Sequence, residues 1–396
     1  MRHPQAPTAV VFALSTSLPA MLAFTSNVRF VSSPSVMSRS SSVISSSSGS
    51  PFWKVSRHRI ATTLSLQPLL SSTLAASADP AGAEEELRES VGRVRELVDA
   101  AGGKTLAITG AGMSTDSGIP DYRGPQGSYS RGHKPMTHDE FLSSEENRKR
   151  YWARSTFGWS SFSKATPNAA HFALAGLEAA GKLGGVITQN VDGLHQKAGS
   201  RNVVDLHGRN DKVECMSCRR RSSRDEYQSG LSRLNASWIA KHSPELAMGE
   251  SATRLQEGKE EAEGVEHARG AGLKTGSFRL RADGDADVEP GAFLAEFVVP
   301  ACVRCGGVLK PSVVFFGDNV PGARVEQTYR MVDESSVIIA AGSSLQVYSA
   351  FRLIKRAADA GARIVVVNLG ETRAERSGLE LLKVEAGVSS VLPLLL

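Results

Sequence analysis

The chain has 396 residues, more than one ordinary domain needs, with 46 basic and 41 acidic residues and a net charge of +5. Its first 78 residues contain no Asp or Glu and hold six of the basic residues, so the remainder carries 40 basic against 41 acidic residues, a net charge of −1. The basic surplus belongs to the leader; nothing beyond it argues for a nucleic-acid partner, and no later stretch is apolar enough to cross a bilayer.

The leader, about residues 1–80, holds twenty Ser, five Arg and one Lys before Asp79, with a mostly Ser run from Ser38 to Ser50. Such a segment cannot bury a core, and its composition matches an organellar transit peptide. The competing readings are a tail without an address, or a secretory or plastid leader built on Thr8 to Phe24, which polar residues and Pro19 interrupt too often to span a membrane.

The body opens on an amphipathic helix in which Leu87, Val91, Val94, Leu97 and Val98 recur at helical spacing and Gly102 and Gly103 supply the stop. A short strand from about Leu106 to Thr109 runs into a turn containing Gly110 and Gly112. Apolar strand candidates recur at Val186 to Thr188, Val203 to Leu206, Val313 to Phe316, Val337 to Ala341 and Ile364 to Val367. Helical stretches such as Ala169 to Gly181 and Ser349 to Gly361 separate most of them. Buried β-branched runs alternating with helices predict an α/β domain with a doubly wound parallel sheet covered on both faces.

Nucleotides bind such sheets at the carboxyl ends of the strands, where a Gly-rich turn lets backbone N–H groups approach a pyrophosphate. The Gly110-Ala111-Gly112 turn fits that role, although a third glycine in the usual dinucleotide register is missing. Two more strand ends carry small polar residues suited to ribose and adenine: Gly342, Ser343 and Ser344, and Asn368, Leu369 and Gly370. Between two apolar runs lies TQNVDGLHQKAG, Thr188 to Gly199, whose Gln189, Asn190, Asp192 and His195 ask for a function at the strand end.

The four cysteines form two C-x-x-C pairs, Cys215 with Cys218 and Cys302 with Cys305. Two such knuckles predict one closed, structural Zn2+ site with four thiolate ligands; a redox dithiol or two disulfides are the competing readings. The zinc module spans about 211–307 and is inserted between the two halves of the α/β domain, about 84–210 and 308–396. Within it, Asp225 to His242 predicts a helix, and about 249–290, rich in Gly, Glu, Ala, Arg and Asp, reads as a flexible surface insertion.

GAGMSTDSGIPDYRG (Gly110 to Gly124), TQNVDGLHQKAGS, DLHG (Asp205 to Gly208), the paired cysteines, KPSVVFFGD (Lys310 to Asp318) and GSSLQVYSA occur in the order and context of the sirtuins. The resemblance covers about residues 84–396, and RYWARS (Arg150 to Ser155) with PNAAH (Pro167 to His171) is most similar to class II, the mitochondrial branch. It implies a Rossmann-like domain with a smaller zinc domain, and NAD-dependent removal of acyl groups from protein lysines. It also implies location in the mitochondrial matrix, a plastid being the alternative. Mono-ADP-ribosyl transfer from the same NAD site and a non-catalytic NAD-binding scaffold are the rival functions.

Residue by residue, the resemblance implies that His207 is the general base, and that Gln189, Asn190 and Asp192 lie beside the nicotinamide ribose and the carboxamide pocket, Asn190 and Asp192 sharing in the catalysis. Gly110, Ala111, Gly112, Asp121 and Arg123 would hold phosphates and ribose, with Tyr122 a flap over the nicotinamide. Ser343, Asn368 and Leu369 would line the adenosine half, and Val388 would close the adenine end. Val314, Phe315, Phe316 and Gly317 would pair with substrate backbone, the two aromatic rings walling an acyl-lysine tunnel. His195 reads as structural. Ser312 departs from the acidic or imidazole side chain more common in the family. Tyr151 and Arg154, three apart on one helix face, would border the acyl pocket, with Arg154 gripping a terminal carboxylate; an ion pair within the protein is the alternative.

Overall fold

A computed structural model describes residues 80–125, 127–242, 274–275, 278–287 and 291–396; the expected leader, up to Asp79, lies outside the described residues. In chain order the elements are α1 (Pro80–Ala100), β1 (Thr105–Thr109), α2 (His138–Ser143), α3 (Glu145–Phe162), α4 (Ala169–Ala179), β2 (Gly185–Thr188), α5 (Leu194–Lys197) and β3 (Val203–Asp205). There follow β4 (Gly208–Cys215), β5 (Arg221–Ser223), α6 (Arg224–Leu234), α7 (Ala236–His242), the two-residue strands β6 (Lys274–Thr275) and β7 (Phe278–Arg279), and β8 (Leu309–Val313). The chain ends in α8 (Gly322–Asp333), β9 (Val337–Ala341), α9 (Tyr348–Asp359), β10 (Arg363–Val367), α10 (Arg373–Arg376), β11 (Leu382–Val384) and α11 (Val388–Val391).

Six strands form a wholly parallel sheet in the order β11-β10-β9-β1-β2-β3. Alternation along each strand supplies two cores, as a sheet covered on both faces requires. Ala107, Val186, Ile339, Val365 and Val367 face Leu87, Val91, Val94 and Val98 of α1 and Leu174 and Leu177 of α4. Leu106, Ile108, Ile187, Ile338, Ala340 and Val366 face Phe351, Leu353 and Ile354 of α9. From β1 the chain winds outward to β2 and β3, then returns to β9 on the other side of β1. The carboxyl ends of β1 and β9 are therefore the point where strand order reverses, the place where such sheets bind ligands.

β4, β5 and β8 make a separate antiparallel sheet. Its core joins Trp152 and Phe157 of α3 to Tyr227, Leu231, Trp238, Ile239 and Phe297. The helix expected over Asp225 to His242 is two helices, because Asn235 leaves the helical path. Its side chain instead donates to the Leu231 and Val298 carbonyls at 2.9 Å each and accepts from Val298 N at 2.7 Å. The strand expected over Val313 to Phe316 ends at Val313, and residues 314–316 continue along the cavity described below. Much of the expected insertion over about 249–290, its residues up to 273 among them, lies outside the described residues. Its later part does not lie at the surface as the composition suggested: Leu280, Arg281, Ala282, Asp285 and Ala286 are buried.

Candidate active site

A cavity of about 880 Å3 runs along the carboxyl ends of β1, β2, β9 and β10 and on to the segment after β8. Its floor is built by two glycine turns in backbone contact. Gly112 N donates to the Gly342 carbonyl at 2.9 Å. A Cβ at Gly342 would sit 2.5 Å from Met113 N, on a residue whose φ of +60° already disfavours side chains. Ala111, Gly112, Asp121, Tyr122, Arg123, Gln189, Asn190, Asp192, His207, Gly342, Ser343, Ser344, Asn368, Leu369 and Gly370 all line it. Gly110 lies behind, its carbonyl accepting from Asn190 Nδ2 at 3.0 Å. Val388, at the start of α11, is not on the cavity wall: its side chain is buried in the core with Val391 and Leu392.

The polar residues after β2 are fixed by one network. Asn190 Nδ2 also donates to Ser114 Oγ at 3.0 Å, and Ser114 donates to Asp192 Oδ2 at 2.7 Å. Asp192 Oδ1 accepts from Leu194 N at 2.8 Å, and Gln189 Nε2 donates to Ser343 Oγ at 2.8 Å. Burial raises the Asp192 carboxyl, although these two donated hydrogen bonds act the other way. Burial likewise raises Asp121, which accepts from Gly124 N at 3.0 Å.

His195 points away from the cavity, toward Thr109 Oγ1 at 2.9 Å and the His171 ring at 4.9 Å. Burial lowers His171 to about 4 and His195 to about 3. The unfolded chain therefore takes up protons first, so stability is present above about pH 6.5, the usual histidine value, and is lost as pH falls from there toward 4. Between about pH 7 and 5.5 the melting temperature is expected to fall by roughly 5 °C or more, and His195→Asn should remove part of that fall. Equal falls in the two proteins, read by calorimetry, would contradict this.

His207 follows β3 and is held at both ring nitrogens. Nδ1 lies 3.0 Å from the Gln189 carbonyl, which can only accept, so in the neutral ring Nδ1 carries the hydrogen. Nε2 is then the basic atom, accepting from Ser349 Oγ at 2.8 Å. Burial lowers the ring to about 4, although the Gln189 carbonyl raises it, well under the near-neutral value expected of a general base. It is neutral at working pH. Ser349, in the first turn of α9, was not marked by any spacing in the sequence, and neither was Ser114 within its motif.

On the far side of His207, its carbonyl accepts from Val314 N at 2.8 Å. Val314, Phe315, Phe316 and Gly317 line the cavity, as do Tyr151 and Arg154. Phe315 is buried with its ring 5.3 Å from Tyr151 and 5.4 Å from Phe141, whereas Phe316 is partly exposed beside Tyr129. Arg154 Nε lies 3.8 Å from Asp285 Oδ2, and both side chains are buried. The guanidinium therefore already faces a carboxyl group of the chain itself. Ser312 lies off this cavity, in a shallow groove with Glu214 3.5 Å from its hydroxyl.

Away from the cavity, the four cysteine sulfurs lie within 4.8 Å of one another, with Cys215 to Cys305 at 3.5 Å and Cys218 to Cys302 at 3.8 Å. These separations are too long for disulfides. They match the edge of a tetrahedron with Zn–S bonds of about 2.3 Å, which is roughly 3.8 Å. The four thiols fit one zinc ion.

The Sir2 family model matches residues 110–349. The chain is 45% identical over 292 residues to the NAD-dependent protein deacetylase of Xanthomonas axonopodis pv. citri, covering 74% of this chain and 86% of that one. It is 42% identical over 290 residues to the NAD-dependent protein deacylase Sirt4 of Drosophila melanogaster, covering 73% and 81%. It is also 42% identical over 285 residues to the deacylase SRT2 of Arabidopsis thaliana, covering 72% and 70%. Among solved structures, a Sir2–p53 peptide–NAD+ complex superimposes with a TM-score of 0.51 at 27% identity, covering 76% of this chain and 94% of that one.

Proposed function

The chain belongs to the Sir2 family of NAD-dependent protein deacylases, and from that premise we propose how its residues divide the work. The observation that carries the reading is His207, which presents a neutral Nε2 to the cavity between the glycine turns and the Val314–Gly317 segment. When bound, NAD supplies the ADP-ribosyl group that accepts the acyl from lysine, with nicotinamide as the group that leaves. The turns at Gly110–Gly112 and Gly342–Ser344 would face its phosphates and ribose, with Asn368, Leu369 and Gly370 toward adenosine. Asn190 and Asp192, braced through Ser114, hold their polar ends toward the reacting half. His207 Nε2 takes a proton from a hydroxyl presented to it. The Gln189 carbonyl keeps the ring oriented while that charge forms.

An extended peptide would add as a strand along Val314–Gly317, its acyl-lysine passing between Phe315 and Phe316 toward Tyr151. Four thiolates of the zinc module would hold one structural ion without touching substrate. Purified protein assayed on acetyl-lysine peptides with and without NAD tests the reading: NAD-dependent release of free lysine and O-acetyl-ADP-ribose is expected. Stable transfer of an adenine label to a protein, without deacylation, would overturn it in favour of ADP-ribosyl transfer.

The acid-free leader supports delivery to the mitochondrial matrix. A fluorescent fusion of residues 1–80 is expected to enter mitochondria. A cytosolic, secretory or plastid signal contradicts that address. Among the described residues no helix is long and apolar enough to cross a membrane.

A further inference from the structure

The turn 281–286, which composition placed in a surface insertion, forms one wall of the cavity. Gly158 of α3 lets it approach: a Cβ there would collide with the Gly284 carbonyl and lie 2.7 Å from Ala286 N. Ala286 N donates to the Arg154 carbonyl at 3.2 Å, and Asn210 Nδ2 donates to the Asp283 carbonyl at 3.0 Å. The turn is thereby tied to both α3 and the start of β4. Arg154, Asp283 and Asp285 line the cavity together, and the Asp285 side chain, only 1% exposed, faces Arg154 at 3.8 Å.

Resting on the reading that residues 151–154 border the acyl group, we propose that Asp285 is the specificity-determining residue of this pocket. It admits an acyl chain with an uncharged end at any pH, and one ending in a carboxylate only when its own carboxyl is protonated. The reason is charge. An uncharged end leaves the Arg154–Asp285 pair as it stands. A carboxylate end would place a second anion on the same guanidinium, away from water, where like charges repel strongly. One guanidinium can serve both carboxyls only if they share a proton between them.

Among the described residues the other cations near this pair are already engaged: Lys310 lies over the Phe315 ring at 4.3 Å and donates to the Val313 carbonyl, and Arg123 lies over the Tyr129 ring at 5.0 Å. Arg224 of α6 lies over the rings of Trp152, Trp159 and Tyr227 and donates to Ser155. Arg281 donates twice to Asp287, at 3.0 and 2.8 Å, and Arg131 also faces Asp287, at 3.3 Å. His133, near Asp283, is held toward its neutral form by burial, and burial pushes the Tyr151 and Tyr122 phenols well above their usual range. Burial also pushes the Asp285 carboxyl up to about 8, with the Asp283 charge adding to the shift and Arg154, Arg281 and Arg224 opposing it. Lys310, behind Phe315, is lowered by burial to about 8 as well but does not line the cavity, so on the acyl side Asp285 is the lining group whose charge changes just above neutrality, and a pH response due to Lys310 would survive in Asp285→Asn.

The test compares a glutaryl-lysine peptide with its terminal-amide isostere, which has the same shape and no charge, in the full-length protein with NAD. The ratio of their kcat/KM values cancels effects on His207 and on NAD. In the wild type this ratio is expected to fall tenfold or more between about pH 6.5 and 9. In Asp285→Asn, whose amide keeps the neutral shape, it should change less than about threefold and stay at the low-pH level. A flat wild-type ratio overturns the proposal even if the variant fails to fold. So does a fall retained in the variant, or an absence of turnover with both long-chain peptides while acetyl-lysine reacts. If no acyl peptide reacts, the deacylase reading fails separately, and the same ratio taken from peptide affinities by calorimetry still decides the role of Asp285.

Discussion

His207→Ala is expected to bind NAD nearly as the wild type does and to lose deacylation by roughly 100-fold or more, the usual scale for removal of a general base. The ring makes its two hydrogen bonds to the Gln189 carbonyl and to Ser349, neither of which belongs to the glycine turns at Gly112 and Gly342. Truncation should therefore leave the nucleotide half of the cavity in place while removing the atom that accepts the proton. NAD affinity by calorimetry and single-turnover deacylation separate the two effects. Unchanged turnover would remove His207 from the chemistry, and lost NAD binding would mean its role is positional. The acid limb of kcat/KM provides a second reading. Burial lowers His207 to about 4, so activity limited by this base should persist well below pH 6.5, where an ordinary histidine would already be half protonated.

Cys302→Ser is expected to give aggregated or unfolded protein, and prolonged chelation of the wild type should do the same. Structural zinc in small peptides contributes about 10–16 kcal/mol of apparent binding energy, all of it absent from an unfolded chain. That exceeds or matches the whole stability of a typical domain, about 5–15 kcal/mol. Here the ion would join Cys215 and Cys218 at one end of β4 to Cys302 and Cys305 just before β8, two strands that pair directly from Cys215↔Leu309 to Gly208↔Val313. Metal content and a thermal melt check it. A soluble, active and zinc-free variant would overturn the assignment of the four thiolates.

Most of this was legible because it depends on local patterns. Apolar β-branched runs announced β1, β2, β3, β9 and β10, and the cysteine spacing announced a metal site whose sulfurs do lie together. β11 was not read: LKV is too short to alternate visibly and is a strand only because Val365 to Val367 pair with it. The same holds for Asp285. RADGDAD reads as a solvated loop by composition, and its burial comes from contacts with Arg154 and Asn210, more than 70 residues away in sequence. The burial of Val388 was hidden for the opposite reason, since an apolar residue near a ligand site is as easily recruited by the core. The lowered His207 could not be read either, because it arises from tertiary burial and not from the DLHG motif.

The β4–β8 ladder starts beside His207 and closes at the cysteine knuckles, and 83 residues, 219–301, separate Cys218 from Cys302. Once the two ends of such an excursion are pinned, its length matters little, because closure entropy grows only logarithmically, by about 0.6 kcal/mol for each doubling. The clamp thus separates two evolutionary clocks. Residues of the excursion other than its packed core, Tyr227, Leu231, Trp238, Ile239 and Phe297, and the buried 281–286 turn can be gained or lost at small cost in closure entropy, while the strand pairing that carries Val314 N to the His207 carbonyl keeps its register. New wall elements can therefore be tried against the acyl side of the cavity, one turn at a time, on a catalytic frame that does not have to change.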